Sequence, residues 1–114
     1  MIAVISEVWP YPDRRADYFR LSEELLPHLE AIDGYISSER LESTGEPGKL
    51  VSISFWRDEE SLSRWRNLEM HRAIMERGRG GILRDYRIRV TSVLWDYGIS
   101  DRTQAPKDSR DRFG

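Results

Sequence analysis

The run LVSISFW, Leu50–Trp56, constrains this chain most, because its large side chains fall on both faces of a strand: Val51, Ile53 and Phe55 on one, Leu50 and Trp56 on the other. Side chains alternate between the two faces of a sheet. A sheet built around this run therefore needs cover on both sides. The stretch Asp85–Tyr97 makes the same demand, with Tyr86, Ile88, Val90 and Leu94 on one face and Val93, Trp95 and Tyr97 on the other. At about 25 cal/mol for each Å² of apolar surface, leaving one face in water is costly.

The remaining punctuation sets the order of the elements. Ile2–Trp9 is rich in β-branched residues and is ended by Pro10 and Pro12, which cannot donate to a strand ladder. From Asp13, a candidate cap, Tyr18, Leu21, Leu25, Leu29 and Ile32 recur every three or four residues, which predicts a helix with a kink or restart near Leu26 caused by Pro27. Asp33-Gly34-Tyr35 turns the chain into a second extended run, Tyr35–Glu42. The loop Ser43–Lys49, with Gly45, Pro47 and Gly48, reverses it into Leu50–Trp56. Asp58 opens a second helix with Glu59 and Glu60 in its first turn and Leu62 and Trp65 on its inner face. Asn67 is placed to cap a short continuation carrying Leu68, His71 and Met75, which Gly78-Arg79-Gly80-Gly81 ends. The order β-α-β-β-α-β predicts an α+β, ferredoxin-like subunit with an antiparallel sheet and both helices on one side. The uncovered face predicts a symmetric homodimer joined sheet to sheet, with a hydrophobic cavity between sheet and helices in each subunit. One domain is expected over residues 1–98. Residues 99–114, charged and without periodicity, read as a tail that is mobile or lies as an arm on a neighbour.

The chain has 114 residues, 18 Lys+Arg against 20 Asp+Glu, and a formal charge of −2. No global field draws it to nucleic acid or to an anionic membrane. With no cysteine and two histidines, a disulfide framework, a thiolate metal site and a cysteine nucleophile are excluded. His28 and His71 lie on different helices without an i, i+4 ligand partner, so no protein-ligated metal is expected. The start MIAVISEVWP has no basic leader, and no apolar run approaches the roughly 20 residues of a membrane span, so a cytoplasmic protein is expected. The arginines between Arg64 and Arg89 alternate with Glu69, Glu76 and Asp85 and read as a solvated face, with one or two available to an anionic substrate group. Trp56 and Trp95 are expected to pack in the core. Trp65 differs in having His71 six residues on, and both are candidates for the wall of one cavity.

The pattern KLVSISFWRDEESLSRWRNLEMHR followed by GRGGILRDYRIRVTSVLWDYG resembles the antibiotic biosynthesis monooxygenase domain family, from the first strand to about Gly98. The resemblance implies a ferredoxin-like subunit paired into a dimeric α+β barrel. It also implies oxidation of an aromatic phenol or anthrone by O2, without metal, flavin or nicotinamide. The protein then supplies a dry pocket, fixed orientation and hydrogen bonds to a developing oxyanion. On this likeness Trp65 matches a tryptophan of the anthrone-oxidising members. Ser61 stands where they carry an amide and His71 where they carry a tyrosine, making Trp65, His71 and Ser61 the candidate catalytic residues. Other members bind and degrade haem through a histidine near the position of Met75 and an asparagine on the first strand, where this chain has Ser6 and Glu7. A haem-binding enzyme and a noncatalytic small-molecule-binding dimer are the alternatives.

Overall fold

The computed structural model describes residues 1–68 and 80–114. Strand β1 spans Ile2–Pro10, β2 Tyr35–Glu42, β3 Leu50–Trp56 and β4 Leu83–Ser92. Helix α1 spans Arg15–Glu30 and is entered through a 3-10 turn at Pro12–Arg14, α2 spans Glu59–Arg66, and α3 spans Lys107–Phe113. The strands pair antiparallel in the order β2-β3-β1-β4, the ferredoxin-like arrangement that the element order predicts. Among the described residues no helix is long and apolar enough to cross a membrane.

Register decides what each face carries. Ile2 stands opposite Trp56 and Ser92, and Val4 opposite Ser54 and Val90. Ile2, Val4, Trp56 and Leu62 form the core cluster, and Leu29 and Ile32 from the end of α1, Tyr35 from β2 and Trp65 from α2 pack against it. The two helices therefore cover the Ile2–Val4 face. Trp56 is the anchor, 1 % exposed, with its ring 5.5 Å from that of Tyr35 in an edge-on contact. Its indole N–H is satisfied by donating to Ser54 Oγ at 3.0 Å. The opposite face carries Ala3, Ile5, Ile53 and Phe55 at one end and Val51 toward the other. At the other end Glu7 is ion-paired with both Lys49 and Arg89.

Several local expectations are corrected. Strand β4 ends at Ser92 rather than Tyr97, because its partner β1 begins at Ile2 and the last bond along the ladder is Val93 N–H to the Met1 carbonyl, 3.0 Å. Beyond that point no strand is left to pair with. Trp95, expected in the core, is consequently 62 % exposed. Asp13 caps nothing. It lies inside the 3-10 turn, and α1 starts at Arg15 without a side-chain cap. Pro27 does not interrupt α1, which continues through it to Glu30; only the amide bond that proline cannot make is missing, on a turn where Leu26, Pro27 and His28 are all exposed. The expected continuation of α2 with His71 and Met75 lies outside the described residues.

Candidate functional site

Helix α2 is positioned from its first residue. Asp58 has extended backbone and caps the helix: its Oδ1 accepts the Ser61 N–H at 2.8 Å and the Ser61 hydroxyl at 2.6 Å. These two bonds, chiefly the hydroxyl's, hold the Asp58 carboxyl down at about 2. Ser61 is completely buried. It can be so because Gly34, at φ +97°, has no side chain: a Cβ there would lie 1.9 Å from Ser61 Oγ. The Arg57 N–H donates to the Gly34 carbonyl at 2.7 Å, and the Arg57 guanidinium grips both Asp33 oxygens at 3.2 Å. At the far end the Asn67 side-chain amide donates to the Ser63 carbonyl at 2.8 Å and closes the last turn.

So fixed, α2 presents two neighbouring stripes. Ser61, Leu62 and Trp65 turn toward the α1–β2 loop and the core. Glu59, Leu62, Ser63 and Arg66, spaced i, i+3, i+4, i+7, line a cavity of about 410 Å³ together with Glu60 and Val90 of β4. Val90 and Ile88 lie on the helix-covered face of the sheet, opposite Val4 and Ser6, yet each is 49 % exposed. The space between α2 and the edge strand is thus an open trough with an apolar floor and a mixed helical wall, within the volume range of small-molecule sites. Glu60 is held by Arg64 at 2.8 Å, whereas Arg66 has no ion-pair partner among the described residues.

Of the three residues picked from the sequence, Ser61 and Trp65 lie on the same side of α2, one turn apart, and His71 lies outside the described residues. The Ser61 hydroxyl is committed to Asp58 under Gly34, so what it does here is hold the helix. Trp65 is half-buried against the core cluster, next to Leu62, which spans core and trough. Reading the sequence missed Ser63 and Val90, and it offered Arg66 only as one of the arginines from Arg64 to Arg89. The i, i+4, i+7 spacing of Glu59, Ser63 and Arg66 was visible, but nothing local said that it faces β4 across a cavity.

A second cavity, between Phe19, Arg40, Leu41, Glu42 and Leu50, holds about 70 Å³, too little for an organic substrate. The charged cluster on the other face centres on Glu7: Lys49 and Arg89 both bind it and hold its carboxyl below the usual range. Trp9 Nε1 donates to Glu46 at 2.8 Å beside it. Among the described residues no three His, Asp or Glu side chains gather to hold a metal ion.

Residues 1–77 match the family model described as antibiotic biosynthesis monooxygenase. A jasmonate monooxygenase of Pyricularia oryzae is 45% identical over 93 residues, 82% of this chain. This chain matches only 43% of that protein's length. Among solved structures, Rv0793 of Mycobacterium tuberculosis superposes with a TM-score of 0.76 at 24% identity, covering 85% of this chain and 98% of its own. SnoaB of Streptomyces nogalater, a cofactor-independent oxygenase, superposes with a TM-score of 0.73 at 9% identity, covering 83% and 94%. At these identities the two structures speak for the fold alone.

Proposed function

The chain belongs to the antibiotic biosynthesis monooxygenase family, and from that premise we propose that it is a monooxygenase whose small organic substrate lies in the trough between α2 and β4. The observation that carries this reading is an apolar floor that the described residues leave open. Ile88 and Val90 lie on the covered side of the sheet but are half exposed, next to a helix wall that offers Leu62, Ser63 and Arg66. A flat hydrophobic substrate covers that floor and gains the burial that the chain itself does not supply.

The chemistry proposed needs no bound cofactor when the substrate supplies the electrons. An anthrone deprotonates to an electron-rich anion, which passes electrons to O2. One oxygen atom enters as the new carbonyl and the other leaves as water, so anthrone plus O2 balances as anthraquinone plus water. The protein then orients the anion and stabilises its oxygen. Arg66 and Ser63 are the groups of the trough suited to an oxyanion, and Trp65 and His71 stay candidate catalytic residues on the family likeness alone. Jasmonate is the second substrate class to consider, because the 45% identical relative is named for it. Its carboxylate suits Arg66 equally well. Hydroxylating an unactivated C–H bond, however, consumes two electrons from an added reductant.

Oxygen uptake tests the proposal. With anthrone or a hydroquinone in chelator-treated buffer, uptake without reductant is expected for the first class. For jasmonate, uptake is expected only with a reductant present. No uptake with any of these substrates, with or without reductant, would count against an enzyme and in favour of a binding module, whose sign is thermal stabilisation without turnover.

A further inference from the structure

The wall of the trough ends in opposite charges. Glu59 stands in the first turn of α2 and Arg66 in its last, and both line the cavity together with Leu62, Ser63 and Val90. The charged residues beside them are committed elsewhere: Arg64 pairs with Glu60 at 2.8 Å, and Arg57 with Asp33 at 3.2 Å and Asp58 at 3.3 Å. The side chains of Glu59 and Arg66 have no ion pair or hydrogen bond among the described residues. Helix geometry keeps them from meeting each other, since seven residues at a rise of 1.5 Å each separate them by roughly 10 Å along the axis. The i+3 and i+4 neighbours that could pair with either are Leu62 and Ser63, which carry no charge. The Ser63 hydroxyl accepts from the Asn67 amide at 3.2 Å and keeps its own hydrogen to donate. A helix dipole favours an acid at the start and a base at the end, which accounts for the two signs; it does not account for both lying on the one stripe that faces a cavity.

We propose that the trough selects an elongated apolar acid with a hydrogen-bond donor at its far end, the carboxylate lying on Arg66 and the donor, a hydroxyl or an ammonium, on Glu59. This rests on the trough being the substrate site, as proposed above, and adds which molecules it admits and which way round they lie. A guanidinium presents a planar fork of N–H donors that matches a carboxylate, whereas an ionised Glu59 can only accept. A diacid of the same length sets its second carboxylate against Glu59, and an acid without the distal donor leaves Glu59 facing apolar surface, so both are disfavoured relative to the bipolar molecule. With its two ends held, the body of the ligand lies along Leu62 and Val90, in a cavity of about 410 Å³ that accommodates it.

Calorimetric titration of the full chain at neutral pH with three probes of one length tests this: para-coumarate, cinnamate and para-carboxycinnamate. The hydroxy acid is expected to bind at least about fivefold more tightly than the other two. Glu59→Ala is expected to erase its advantage over cinnamate, Arg66→Ala to weaken all three, and Glu59→Lys to make the diacid the preferred probe. Both positions are exposed, so these variants are expected to melt close to the wild type. Binding is read without turnover, which separates two failures. Absence of binding by all three probes, equal affinities for them, or a ranking that the Glu59 substitutions leave unmoved would overturn the bipolar selection. If Val90→Trp leaves the affinity for para-coumarate unchanged, the ligand lies outside the trough and the site reading falls with it. The expected ranking without oxygen uptake supports the selection and counts only against the enzyme.

Discussion

At the scale of single residues, the entry to α2 depends on a contact that tolerates no extra atom. Gly34 combines a left-handed φ of +97° with the Ser61 hydroxyl in the place its Cβ would take. Gly34→Ala is expected to lower stability by roughly 2 kcal/mol or more, from backbone strain and overpacking together. A urea midpoint within error of the wild type would contradict the geometry. Asp58 contributes through charge as well as shape. Its carboxyl is depressed from an ordinary 3.8 to about 2 by the two bonds from Ser61. A depressed acid stabilises the fold fully above its unfolded value and loses that contribution as pH falls through its folded one. The stability gap between wild type and Asp58→Ala is therefore expected to be constant from pH 5 to 7 and to close between about pH 4 and pH 2. A gap as wide at pH 2.5 as at pH 6 would mean that the cap does not act as an anion.

At the scale of elements, α2 divides its surface between holding and binding. Ser61, Leu62 and Trp65 fasten it, while Ser63 and Arg66 face the trough. Arg66→Ala is expected to raise KM for an anionic substrate about 10- to 100-fold, the worth of a charge-assisted contact, with little change in melting temperature because Arg66 binds nothing else in the described chain. Equal losses in KM and in stability would assign it a structural part instead. The elements themselves were largely legible. Alternation and punctuation placed β2 at Tyr35–Glu42 and β3 at Leu50–Trp56, where they are found, because a strand's limits are set by its own apolar faces and by the turns beside it. The end of β4 was not legible, since Val93, Leu94 and Trp95 continue the strand pattern and only the starting point of β1 stops the pairing. A cavity between sheet and helices was expected, but its place beside β4 escaped for a similar reason. Its helical side is a periodic stripe, but its openness depends on how far α2 reaches across β4, which no local spacing encodes. Ser61 was singled out by likeness to relatives, and in the structure its hydroxyl donates to the Asp58 cap.

At the scale of the whole molecule, a four-stranded sheet with helices on one face accounts for the core, and Leu94, Trp95, Tyr97 and Ile99 stay exposed outside it. If a second copy covers the open sheet face, folding and association are linked, and the melting temperature is expected to rise with protein concentration; one constant over a hundredfold range would argue for a self-sufficient monomer. The central claim, that O2 chemistry takes place between α2 and β4, is tested most directly by incorporation of labelled oxygen from ¹⁸O2, comparing wild type with Val90→Trp, a change that fills the trough from its floor. The wild type is expected to place one labelled atom in each product molecule, and Val90→Trp to lose at least about 100-fold in rate while melting within a few degrees of it. Wild-type rates in a folded Val90→Trp, or product oxygen drawn from water, would contradict the account.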